Sequence, residues 1–207
     1  FIFCTVVLQK QLYTLRNEDF GFERKNMAVI TIYGNNGNDV ESFGEYLRQQ
    51  PEVTEVIRRW NALFPNHFSA HKTFIKKTQG RQMNVEMIEE SIECQAFEDM
   101  ECRLADFYGL KLLKGHYLQE GDDPSAIVIN ETMAKKFNWD DPIGKQIETF
   151  QKPYTVVGVV KDFLILGPTT PAEPTFFSFK GLMEGRQGNS FVFKYQPGDW
   201  NTYRKKY

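Results

Sequence analysis

The stretch from Ala126 to Phe163, AIVINETMAKKFNWDDPIGKQIETFQKPYTVVGVVKDF, constrains the fold more than any other part of the chain, because nearly every residue in it carries a local instruction. Ala126-Ile127-Val128-Ile129 is a short, largely β-branched run suited to a buried strand. Asn130 ends it and suits a helix N-cap, since its side-chain oxygen can accept from a free N–H of the first turn. Glu131 adds negative charge where the helix dipole favours it. Met133, Ala134 and Phe137 give that helix one apolar face, and Asn138 can close it in the left-handed conformation. Asp140 to Gly144 is a turn in which Pro142 fixes φ and Gly144 tolerates a positive one. Lys145 to Phe150 and Tyr154 to Val160 read as strands joined at Gln151-Lys152-Pro153, hence a hairpin. Gly158, inside the second strand, marks a bulge or a close backbone approach, and Asp162 ends that strand.

The flanks arrange themselves around this unit. Val6 to Asn17 reads as a helix with Val7, Leu8, Leu12 and Leu15 on one stripe, and Asn17 to Phe22 breaks it. Met27 to Ile32 is a strand, Gly34 to Asn38 a loop, Val40 to Gln49 a helix capped by Asp39 and stopped by Pro51, and Val53 to Ala62 a strand. Leu63 to Lys72 is irregular. Thr73 to Lys77 and Asn84 to Glu93 read as strands, the second with one covered face and one wet, acidic face. Phe97 to Gly109 reads as a short helix, and Leu110 to Leu118 as a short strand with a turn at Gly115. After the central unit come a strand at Pro174 to Phe179, a glycine-rich loop, a strand at Ser190 to Tyr195, and a helix start at Pro197 to Trp200. The last strand and helix mirror Met27 to Gln49. This predicts an α+β, two-lobed fold: a split β-α-β lobe built from both chain ends, and a mixed α/β lobe inserted between. The expected boundaries are 1–25 for the leading helix and lead-in segment, 26–80 with 186–207 for the split lobe, and 81–185 for the inserted lobe.

Composition enters through what it excludes. An apolar content of 41% with 25% charged residues fits a folded domain. A net charge of −2 without a basic stripe argues against a nucleic-acid partner. The leading run Phe1 to Leu8 falls well short of the ~20 apolar residues a spanning helix needs. It reads as either a core strand or the last turns of a membrane helix in a longer protein, since the chain opens on Phe and not Met. The three cysteines, Cys4, Cys94 and Cys102, carry no CxxC spacing. Cys94 and Cys102 either pair in an oxidising compartment or stay as buried thiols.

Candidate chemistry is thin. His67 and His71 stand four apart, but no HExxH glutamate and no third ligand accompany them, and the segment reads as a solvated loop. His116 follows Gly115 in a turn and reads as a surface residue. Gly34-Asn-Asn-Gly37 lacks the endings of a phosphate-binding loop. The acidic pairs Glu18-Asp19, Glu89-Glu90, Asp122-Asp123 and Asp140-Asp141 fall in turns or on a wet strand face rather than at the separations of paired catalytic carboxylates. No GxSxG elbow occurs, and Ser69 beside His67 and His71 does not make a triad. Asn130-Glu131-Thr132 is a formal glycosylation sequon whose position favours a cap. The reading is of a chain with no catalytic residue, no metal site and no cofactor.

Val128 to Ile147 and Tyr154 to Phe163, with DFYGLKLLKGHYL (Asp106 to Leu118) before them and PTTPAEPTFF (Pro168 to Phe177) after, resemble the periplasmic core domain of MacB/FtsX-type ABC-transporter permeases. Leu8 to Ile30 is similar, more loosely, to the juxtamembrane helix and first strand of Bacteroidetes-type members. The chain departs from the family pattern at Gly115-His116 and at Phe137-Asn138-Trp139. The resemblance implies a non-enzymatic periplasmic domain of an inner-membrane permease subunit, placed between its first two membrane helices. Its expected partners are a cytoplasmic ATPase domain or subunit, a second permease subunit, and a periplasmic adaptor or lipoprotein. It would couple ATP hydrolysis to export of, or mechanical action on, a peptide, lipoprotein or drug. Leu8, Leu12 and Leu15 would then line a lever helix, and Trp60, Phe64, Phe68 and Trp139 are candidates for a partner surface, against the alternative that they are core. A free-standing binding module for a peptide or lipoprotein, and a hydrolase with an unrecognised site, are the competing readings.

Overall fold

The computed structural model describes residues 2–33, 37–59, 76–78, 92, 94–99, 101–149, 152–164, 167–179, 188–198 and 203. In chain order the elements are α1 (Ile2–Asn17), β1 (Met27–Thr31), α2 (Gly37–Arg48), β2 (Val53–Arg59), β3 (Lys76–Thr78), β4 (Gln95–Asp99), α3 (Leu104–Phe107), β5 (Leu112–Gly115), β6 (Ala126–Asn130), α4 (Glu131–Lys136), β7 (Gln146–Thr149), β8 (Lys152–Val160), β9 (Thr175–Phe179) and β10 (Ser190–Tyr195). The leading residues from Ile2 onward are helical throughout, not a strand. No described helix is long and apolar enough to cross a membrane.

Two sheets carry the fold. The first has the order β1-β10-β2, with β10 antiparallel to both neighbours. β1, α2 and β2 thus form a β-α-β unit whose two strands are separated by the last strand of the chain. Val40, Phe43 and Leu47 place one face of α2 on Phe191, Phe193 and Val56. Gly44 lets the helix lie flush, since a Cβ there would come within 2.7 Å of the Phe191 ring. Burying Leu47, Phe191 and Phe193 at 0–1% exposure contributes roughly 1.5–3 kcal/mol each.

The second sheet follows the order β3-β7-β8-β6-β9-β4, with β5 also on β8. Its spine is β8, which pairs antiparallel with β7 through its first half and with β5 through its last residues, while β6 runs parallel along its other edge. β6 is buried along its whole length, as its β-branched run predicts. α4 begins where Asn130 accepts a hydrogen bond from the Met133 N–H, and Asn138 follows its end at φ 51°. Gly144 turns the chain into β7 at φ 76°. The register slips at Ile127/Val128 opposite Gly158, whose missing Cβ makes room for the His116 carbonyl.

Three expectations change. Lys152 and Pro153, expected in the hairpin turn, are the first residues of β8 and pair with Thr149 and Glu148. Phe97–Asp99 is not the start of a helix: it is the end of β4, a strand parallel to β9, and only Leu104–Phe107 is helical. The helix fails between them because Asp99 turns its carboxylate onto the Arg103 and Leu104 N–H groups at 3.0 and 2.7 Å, and Cys102 adopts φ 56°. Lys76–Thr78 falls in the range expected for the split lobe, yet it pairs with β7 in the second sheet. The expected strand at Asn84 to Glu93 lies outside the described residues, apart from Ile92, which is not in a strand.

The sheets share a core. Ile57 of β2 and Val192 of β10 pack in one cluster with Phe97, Leu104, Phe107, Val128, Val160, Phe163 and Phe177. A second cluster, around Ile127, Ile129, Met133, Phe137 and Phe176, fills the space under α4.

Candidate interaction surface

α1 stands apart from the body. Val6, Leu8, Leu12 and Tyr13 are 56, 58, 65 and 72% exposed, so the apolar stripe is present and uncovered over these residues. Leu15 lies in the same helix, with its side chain outside the described residues. Apolar side chains standing open on one helix are the chemistry of a surface that another element covers.

The segment joining α1 to β1 is not a passive linker. Phe20 accepts at its carbonyl from the Leu164 N–H at 2.8 Å, and the Glu23 N–H donates to the Tyr108 carbonyl at 2.8 Å. Gly21 takes φ 79° so close to the end of β8 that a Cβ would lie 2.8 Å from the Asp162 carbonyl oxygen. The Phe22 ring meets Tyr108 and Phe163 edge-on, with centroids at 6.3 and 6.4 Å. Arg24 folds back over Phe20, 3.6 Å from the ring centroid, and donates to the Glu18 carbonyl at 3.1 Å. Sequence reasoning passed over this segment as a break. The aromatic-glycine-aromatic order of Phe20-Gly21-Phe22 is the signal that marks it as a docking segment.

Charge crosses between the sheets near α3. Glu101 accepts from the Arg58 N–H at 3.1 Å and lies 3.4 Å from Arg48. Glu55 pairs with Arg103 and, at 3.3 Å, with Lys194, which also reaches Glu23 at 2.9 Å. Asp99 is 5% exposed. Burial pushes its carboxyl above the ordinary value, opposed by the Leu104 and Arg103 N–H groups and the Arg59 guanidinium.

Trp139 is half-buried, stacked on Phe137 at 4.8 Å and packed against the second core cluster, so only part of it faces outward. Trp60, Phe64 and Phe68 lie outside the described residues, as do His67, Ser69 and His71. His116 places Nδ1 2.8 Å from the Tyr117 carbonyl and 3.6 Å from Asp122. Asp123 accepts from Ser125, Asp122 from the Gln119 N–H, and Asp19 from the Gly21 N–H. These carboxylates hold turns. Cys94 and Cys102 are thiols rather than a disulfide, and burial pushes them up to about 12 and about 11 respectively. Asn130 is fully buried: it donates to the Glu173 carbonyl and accepts from Met133 and Thr175, which makes it a cap and a cross-brace rather than a glycan acceptor. Among the described residues no group of three His, Cys, Asp or Glu side chains is placed to hold a metal ion.

A family model described as the MacB-like periplasmic core domain matches residues 12–201. Among solved structures, the chain is similar to the periplasmic region of MacB from Actinobacillus actinomycetemcomitans, with a TM-score of 0.58 at 21% identity, covering 96% of this chain and 85% of that one. It is also similar to the extracellular domain of the noncanonic ABC-type transporter YknZ from Gram-positive bacteria, with a TM-score of 0.50 at 13% identity, covering 86% of this chain and 88% of that one. At these identities the likeness is one of fold. No curated protein sequence matches the chain.

Proposed function

The chain belongs to the MacB-like periplasmic core domain family, and from that premise we propose that it is the extracytoplasmic part of an ABC-transporter permease subunit. In this reading it is inserted between two membrane helices and works as a mechanical rather than a catalytic part. The family is a non-catalytic one. One observation carries the placement. The start of β1 lies beside the end of β10: Met27 pairs with Lys194, and the Tyr195 N–H donates to the Asn26 carbonyl at 2.9 Å. The start of the first strand and the end of the last therefore lie side by side, a geometry that suits a domain inserted between neighbouring membrane helices.

α1 then extends the first membrane helix as a lever. Leu8, Leu12 and Leu15 cover themselves against a second permease subunit, and nucleotide-driven movement of a cytoplasmic ATPase reaches the body through this helix. The substrate class is a peptide, a lipoprotein or a drug, handed to or from an adaptor. Trp139, with Trp60, Phe64 and Phe68, is the proposed partner surface, and 26–80 with 186–207 against 81–185 is the proposed lobe division, except that Lys76–Thr78 goes with the second sheet.

Fractionation of cells producing the intact protein tests the reading, with a membrane-impermeant maleimide applied from the extracytoplasmic side. Cys4 is exposed on α1, so it reports sidedness. The expected result is a membrane-bound chain labelled at Cys4. Recovery in the soluble fraction would overturn the reading in favour of a free-standing binding module. A membrane-bound chain that labels only after lysis would overturn the orientation.

A further inference from the structure

We infer that Glu18–Asn26 is a strap that fixes the direction of α1 by locking its base to the second sheet, so that α1 and the seven-stranded sheet move as one piece. The order of contacts along the strap carries this. Leaving α1, the chain does not go straight into β1 of the three-stranded sheet. Four successive residues dock first on the other body. The Phe20 carbonyl takes the Leu164 N–H, just past β8. Gly21 lies on the backbone of Asp162 and Phe163. Phe22 meets Tyr108 and Phe163 with its ring, both members of the core cluster that the two sheets share. The Glu23 N–H then bonds the Tyr108 carbonyl. The Glu23 carboxylate on Lys194 and the Asn26 carbonyl on Tyr195 follow as polar contacts with the three-stranded sheet.

The strap is closed on its outer side as well. Arg24 lies over the Phe20 ring and bonds the Glu18 carbonyl, which ties the strap to itself at the foot of the helix. Gly109, at φ 61°, is kept free of a Cβ by the Glu23 side chain, which would approach it to 2.9 Å. At Gly21 the facing atoms are backbone, which marks a close approach rather than an incidental touch. The residues at the foot of a helix set its direction by what they hold. Here they hold the exit of β8, the spine of the second sheet. The structural statement stands on this packing alone; that the joint delivers movement of α1 to the second sheet rests on the lever reading above.

Spin-label distances on the purified chain test it, in a Cys4→Ser, Cys102→Ser background. One label at Lys10 on α1 and one at Lys136 on α4 report the joint. A second pair, Lys136 with Gln49 at the end of α2, reports whether the body is intact. The parent chain is expected to give a narrow Lys10–Lys136 distribution. Phe22→Ala is expected at least to double its width while leaving the Lys136–Gln49 distribution unchanged. Arg24→Ala, an exposed position that does not threaten folding, is expected to broaden the first pair in the same sense but less. A broad Lys10–Lys136 distribution in the parent, or one that neither variant widens, would overturn the inference. Because the measurement uses no membrane and no ATPase, its failure leaves the transport reading where it was. A soluble, unanchored chain in the fractionation experiment leaves the strap where it was.

Discussion

Gly158 is a residue at which the second sheet is sensitive to an added Cβ. It faces Gly115 of β5 across the ladder, and each lacks the Cβ that would collide with the other strand's backbone: at Gly158 the His116 carbonyl oxygen would be 2.1 Å away, at Gly115 the Val157 oxygen 2.0 Å. Backbone cannot yield as a side chain can. Gly158→Ala is therefore expected to lower stability by about 2–3 kcal/mol, read as a drop in the urea midpoint at unchanged slope. A midpoint within error of the parent's would mean that β5 can lift away from β8 without cost. Part of this was legible beforehand: a glycine inside an otherwise β-branched strand signals a close approach, though not what approaches. Asn130 divides in the same way. Its capping bond to Met133 is local and follows from the sequence. Its bonds to Glu173 and Thr175, which brace β6 to the lead-in of β9, join residues far apart in the chain and leave no local trace.

At the scale of elements, the readable parts are those whose causes are local. Ala126 to Gly144 folds as its caps, turns and apolar pattern dictate, because each instruction acts within a few residues, whereas Lys152 and Pro153, read as turn residues, pair with Thr149 and Glu148 in β8. β4 is the counter-example. Phe97, Leu104 and Phe107 recur at intervals that suit one face of a helix, and that period hides a strand whose partner, β9, arrives much later in the chain. The strap leaves only the Phe20-Gly21-Phe22 pattern in the sequence, which does not say what it docks on, since its bonds run to Tyr108 and Leu164. α1 was legible as a helix but not as an isolated one. Helices of this length are marginal in water on their own, and its apolar side chains contribute nothing to the body while they stand in solvent. Leu8→Glu and Leu12→Glu in this chain are accordingly expected to shift the urea midpoint by no more than about 0.5 kcal/mol-equivalent. A loss of several kcal/mol would show that α1 packs on the body in solution. In the intact protein the same substitutions strike the proposed subunit contact, and an effect confined to that setting separates a docking surface from a structural helix.

The whole molecule is two sheets closed over one aromatic core, with ion pairs around Glu55 and Glu101 stitching them at the rim and a buried Asp99 beneath. Exposed pairs of this kind contribute little each, so the joint between the sheets rests on the apolar cluster. That core sets the response to pH. Burial holds Cys94 and Tyr108 neutral, pushing both up to about 12 from 9.0 and 10.0. In the unfolded chain both lose their protons earlier, so above pH 9 the folded state binds more protons than the unfolded one, and stability falls as pH rises. The stabilisation is complete below the unfolded values and is lost on the way up to the folded ones. Each group costs at most about 1.4 kcal/mol per pH unit within its window. The melting temperature should hold steady to about pH 9 and then fall with increasing slope. The discriminating comparison is Cys94→Ala. That variant starts less stable, because a cavity opens in the second cluster, but it should lose less on going from pH 9 to pH 11 than the parent does. Parallel curves for parent and variant across that interval would move the alkaline sensitivity from Cys94 in the second cluster to Tyr108 and Cys102, whose burial raises them in the same direction.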